Sequence, residues 1–166
     1  MTALAEWRDF YLMIGTASGA IVGATFIVAS LTSGIKEREV GIRGFITPTM
    51  VHLSSVLVGC AILAVPTLTP FSLALLLGAG GLAGAIYGVA VATRIWAMKL
   101  DLSDRAFYVV LPILAYSLMA GAALMACWFV QPTFETFAVA LVALLIVGMR
   151  NAWDMGTFMI TRSRAE

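Results

Sequence analysis

Five long apolar blocks, joined by connections too short to fold on their own, make up almost all of this 166-residue chain. They fall at about 9–31, 45–66, 70–96, 107–131 and 134–160, each edge good to about two to four residues. Each is long enough for a tilted α-helix, which needs ~20 apolar residues to cross the ~30 Å hydrocarbon core. The expected fold is therefore all-α, a single polytopic domain over residues 1–166 with five transmembrane helices. Composition agrees. Hydrophobic residues are 61% of the chain and charged residues 11%, against about 45–50% and about 25% in soluble domains. No soluble catalytic domain is left over.

The connections set the expected topology. Between the second and third blocks lie only Thr67 to Thr69, flanked by Pro66 and Pro70, and between the fourth and fifth only Gln131-Pro132. Neither hairpin has a Lys or Arg. Basic residues gather instead at the other ends: Lys36, Arg38 and Arg43 after the first block, Arg94, Lys99 and Arg105 around the end of the third, Arg162 and Arg164 after the fifth. Positively charged loops stay in the cytoplasm, so the chain reads as N-out and C-in. The N-terminus shows no short apolar region with a cleavage site, because Glu6, Arg8 and Asp9 lead directly into a long span.

Glycine spacing predicts close helix packing. Gly15, Gly19 and Gly23 recur every fourth residue in the first block, and Gly80, Gly84 and Gly88 do so in the third. Small residues at this spacing let a second backbone approach, which is how membrane helices gain contact without a hydrophobic driving force. Two readings follow: an interface between copies of the chain, or packing inside one subunit, with the first span against the third.

The last block is interrupted by charge. Arg150, Asn151 and Asp154 sit between two apolar stretches, and ionisable groups at such depth face protein or water rather than lipid. Asp154 and Arg150 lie roughly 9 and 15 Å from the cytoplasmic end of that helix, at 1.5 Å per residue. His52 in the second block, Tyr87 in the third and Tyr116 in the fourth fall at comparable depth. These six side chains are the expected polar network, or pathway, in the cytoplasmic half of the bundle. Arg150 and Asp154 are four apart and share a helix face. Asp154 stands nearer the helix C-terminus, the poorer order for stabilising its own helix, which favours partners for Arg150 on other helices: His52, Tyr87 or Tyr116. The plainer reading has Arg150 snorkelling to the headgroups.

His52 is the only histidine, which excludes a paired-histidine metal or haem site within one chain. It reads either as a packed histidine bonded to nearby hydroxyls or a neighbouring helix, or as a proton-sensing group. Pro48, just before it, is expected in a first helical turn. Cys60 and Cys127 lie in apolar runs and do not suggest a disulfide framework. No Gly-x-Ser-x-Gly, His-Glu-x-x-His, phosphate-binding glycine loop or Cys-x-x-Cys occurs, so no enzyme activity, metal or cofactor is expected. The net charge of +1 argues against nucleic acid.

Trp7-Arg8-Asp9-Phe10-Tyr11 leading into Gly15-Thr16-Ala17-Ser18-Gly19, with Met149-Arg150-Asn151-Ala152-Trp153-Asp154 near the end, resembles small bacterial inner-membrane proteins of unassigned function. The resemblance covers most of the chain. It implies a bacterial source and a recurring Arg-Asn-Ala-Trp-Asp element, but no activity and no ligand residues. The functional expectation is an oligomeric channel or transport-type protein, partnered by lipid, by copies of itself and by a small ion. Symmetry would multiply one Arg and one Asp into rings. The alternative is a membrane scaffold or regulatory subunit whose polar cluster is structural.

Overall fold

The computed structural model describes residues 2–31, 39–95, 101–128 and 130–163, with side chains over 6–28, 30, 47–94, 101–128 and 133–157. Most of the basic loop residues, Lys36, Arg38, Arg43, Lys99, Arg162 and Arg164, lie outside the described side chains. Every regular element among the described residues is helical: α1 (Thr2–Leu31), α2 (Glu39–Leu63), α3 (Pro70–Ile95), α4 (Leu102–Arg105), a π-helical turn (Ala106–Val110), α5 (Leu111–Ala126) and α6 (Val130–Ser163). Among the described residues, four stretches are long and apolar enough to cross a bilayer: Glu6–Val28, Pro70–Arg94, Leu102–Ala126 and Thr133–Thr157. The protein is membrane-embedded. The apolar part of α2 among the described side chains is the shorter run Thr47–Leu63.

Local chemistry explains the boundaries. Pro70 opens α3, where a missing N–H costs nothing, and Thr69 caps it: the Ser72 N–H donates to Thr69 Oγ1 at 3.1 Å. Asp101 caps α4, accepting from the Leu102 N–H at 2.9 Å. The following π turn has a cause in Pro112, whose ring would clash with the carbonyl four residues back. There the Leu111 N–H reaches the Ala106 carbonyl, five residues back, widening the helix just before the proline.

Several expected boundaries move, and α1 and α2 begin at Thr2 and Glu39 rather than at about 9 and 45. The fourth block begins earlier and ends earlier than 107–131, since the helical run starts at Leu102 and α5 stops at Ala126. Gln131-Pro132 is not the connection; both lie in the first turn of α6, where proline is tolerated, and the chain turns at Cys127-Trp128 instead. Pro48 is not in a first turn either. It sits inside α2, which begins at Glu39, and it forgoes one backbone hydrogen bond there.

α6 is the central element, packed on α5, α2 and α1, while α1 lies against α2 and α3 against α5. Tyr11, Tyr116, Phe137, Leu141 and Leu144 are fully buried between them. The glycines do serve packing inside the chain, but the first and third spans are not each other's main partners. A Cβ at Gly15 would stand 3.0 Å from Cys60 Cβ, and one at Gly19 would stand 3.7 Å from Leu57, both on α2. On α3 the row that touches α5 is Gly81, Gly84 and Gly88: a Cβ would meet the Ala120 backbone, the Tyr116 ring and Ile113. Gly80 is exposed, 3.8 Å from the tip of Met119, and among the described residues Gly23 meets nothing within 4 Å. Spacing announced close approach without naming the partner.

Candidate functional site

Five of the six expected residues fall into two groups rather than one, and the sixth, Asn151, belongs to neither. The first joins α2 to α5. His52, buried at 1% exposure, places Nδ1 3.1 Å from the Tyr116 hydroxyl. Tyr116, itself fully buried, donates to Ser55 Oγ at 3.0 Å, and Ser55 donates to the Val51 carbonyl at 2.8 Å. The proton order follows from the end of the chain. A carbonyl only accepts, so the Ser55 hydrogen points at Val51, the Tyr116 hydrogen points at Ser55, and His52 donates from Nδ1. His52 thus bonds a neighbouring helix, one of the two roles expected of it. Tyr87 on α3 lies half-buried near Tyr116 and Arg94, packed against Val91, Tyr108 and Val109.

The second group joins α6 to the segment before α5. Arg150 does not reach His52, Tyr87 or Tyr116. Its Nη2 donates to Ser103 Oγ at 2.9 Å, and its guanidinium lies over the Phe107 ring, 3.9 Å from the centroid. Its Nε stands 3.6 Å from Asp154 Oδ2, an electrostatic contact longer than a good hydrogen bond. The two side chains are 31% and 42% exposed, so neither is a deeply buried ion. Phe107 belongs to the π turn, which itself packs against α6. Tyr108, the next residue, is buried within the electrostatic reach of Asp154, Asp104 and Arg150.

Asn151 stands apart. It has no exposure at all, and among the described residues neither its Oδ1 nor its Nδ2, both buried, has a hydrogen-bond partner; Arg150 Nη1 shares that condition. Its level in the bundle can be read from the packing. A Cβ at Gly59 would meet Leu141 at 3.0 Å, and one at Gly148 would meet Leu53 at 2.6 Å, so α2 and α6 run antiparallel. Continuing that register puts Asn151 opposite the turn around Thr49, which is also fully buried.

Sequence reading had the hydroxyls near His52, of which Ser55 joins its network through Tyr116, but it missed Ser103, Phe107 and Tyr108, the last two of which lie in a π turn that helical periodicity does not reveal. It also missed Ser18, which donates to the Leu53 carbonyl at 2.7 Å across α1 and α2, and Tyr11, which donates to the Phe134 carbonyl at 2.6 Å. No family model, curated protein or solved structure matches this chain.

Proposed function

We propose that the protein is a transport-type membrane protein of the bacterial inner membrane, working as an assembly of identical copies. In this reading α2 is a fifth span, the N-terminus faces out and the C-terminus faces the cytoplasm. A small ion uses the inner end of the bundle, where Arg150, Asn151 and Asp154 stand on one stretch of α6. The observation that carries this reading is Asn151. Buried polar atoms are normally paired, and leaving them unpaired costs about 1–3 kcal/mol per group. Within a bilayer such groups mark ion and substrate routes. An amide holding both a donor and an acceptor unused, beside an arginine with an unused nitrogen, is chemistry held ready for a passing species.

A second reading has support of its own. The His52–Tyr116–Ser55 chain and the seating of Arg150 on Phe107 and Ser103 tie helices together, as a scaffold or regulatory subunit would require. Flux assays separate the two. Liposomes carrying the protein should pass protons, potassium or chloride, read by entrapped dyes, and Arg150→Met with Asp154→Asn should abolish that flux while the protein stays folded. A folded wild type that passes none of these ions leaves the scaffold reading standing alone.

A further inference from the structure

Arg150 stands between two partners on different elements and satisfies neither fully. One seat is on the segment before α5, where Nη2 donates to Ser103 Oγ at 2.9 Å and the guanidinium lies on the Phe107 ring. In that seat only one of its three nitrogens is well used. Nε is 3.6 Å from Asp154 Oδ2, beyond good hydrogen-bond length, and Nη1 is buried with no partner among the described residues. The other seat is Asp154 itself. It stands four residues on along α6, and a carboxylate at that spacing can take an arginine fork through two parallel N–H···O bonds.

The segment that Arg150 grips is built to part from the bundle. α4 buries none of its own residues, its packing is chiefly on the π turn that follows, and Leu102 is 82% exposed. No continuous α-helical ladder joins it to α5. The Leu111 N–H goes to the Ala106 carbonyl, and Pro112 has no N–H to offer the Tyr108 carbonyl four residues back. Tyr108 and Val109 are buried and anchor the turn, so the piece free to move runs from Asp101 to Phe107. A short, unburied helix beyond an interrupted ladder opens at a lower free energy than the packed helices around it. We propose that Arg150 is a latch on this segment, and that Asp154 is the competing seat that releases it. Release carries the guanidinium to Asp154, frees Ser103 and uncovers Phe107. The latch goes beyond the proposed transport and does not depend on it, because it is read in backbone amides whether or not ions pass.

The test is hydrogen exchange followed by mass spectrometry, on the whole protein in lipid nanodiscs. The reporters are the amides of Arg105 and Ala106, which donate to the Asp101, Leu102 and Ser103 carbonyls and lose those bonds when the segment opens. Arg150→Met should speed their exchange about tenfold or more, the worth of a hydrogen bond to a charged group and a cation–π contact, and leave α5 around Tyr116 unchanged. Asp154→Asn should slow the same amides by up to about fivefold, since it removes the competing seat of a partly exposed pair. The opposite signs identify a latch. A pair that merely stabilises the local structure would loosen the segment whichever partner was lost. If Arg150→Met folds poorly, Ser103→Ala with Phe107→Leu removes the first seat while Arg150 stays, and should also speed the two reporters. Faster exchange in Asp154→Asn overturns the proposal, as does an effect spread evenly through α5 or a segment whose exchange no variant changes.

Discussion

Gly84 offers the sharpest test of how the helices are held. A Cβ at this position would lie inside the van der Waals envelope of the Tyr116 ring, on the fully buried face between α3 and α5. The ring cannot swing aside freely, because its hydroxyl is held by His52 at 3.1 Å and by Ser55 at 3.0 Å. Gly84→Ala must therefore either part the helices or break both bonds. Overpacking of this kind costs about 1–3 kcal/mol, and two interhelical hydrogen bonds in a membrane protein add about 0.6 kcal/mol each. The expected loss is about 2–4 kcal/mol, a large part of a typical folding free energy of about 5–15 kcal/mol. Gly23→Ala is the control: among the described residues nothing lies within 4 Å of its Cβ, and a glycine-to-alanine change within a helix is otherwise favourable by up to about 1 kcal/mol. Unfolding in mixed detergent, followed by circular dichroism, reads both. Adding Tyr116→Leu to Gly84→Ala should restore part of the loss, since the clash is removed with the ring. Equal stability of Gly84→Ala and Gly23→Ala would refute the packing account.

Three further outcomes follow from the same geometry. Tyr116→Phe should cost about 1–2 kcal/mol in the same assay, more than Ser55→Ala, because only the former leaves the buried His52 Nδ1 without its acceptor. Asp154→Asn should cost at most about 1 kcal/mol, because the pair is 3.6 Å apart and partly exposed, whereas Arg150→Met should cost more through the lost contacts with Phe107 and Ser103. A reporter fused after Glu166 should report cytoplasm and one inserted at Thr67 should report periplasm; the opposite pattern at both sites would reverse the assigned depth of His52 and Asp154.

The helices were legible in the sequence because continuous apolar runs have few alternatives in lipid, and four of them match stretches long enough to span it. Their partners were not. Gly84 announces a close approach, but only the fold shows that Tyr116 fills it and that α1 leans on α2 rather than on α3. Depth along each helix placed His52 and Tyr116 at one level, and they do meet. The same argument could not place Arg150, since depth says nothing about azimuth, and the π turn that brings Phe107 beneath it breaks the helical period. Pro48 misled for a related reason: proline is favoured in a first helical turn, yet a helix supported by neighbours in a membrane keeps one in its interior.

The most direct measurement of the central claim concerns Asn151, read in one variant by stability and by flux together. Asn151→Leu replaces two unpartnered buried polar atoms with an apolar side chain of similar size. The proposed function predicts that the variant unfolds at higher detergent fraction than the wild type, gaining about 1–3 kcal/mol, and that it no longer passes protons, potassium or chloride in liposomes that the wild type renders permeable. A variant that is more stable and conducts as well as the wild type would contradict the claim that the orphaned amide serves transport.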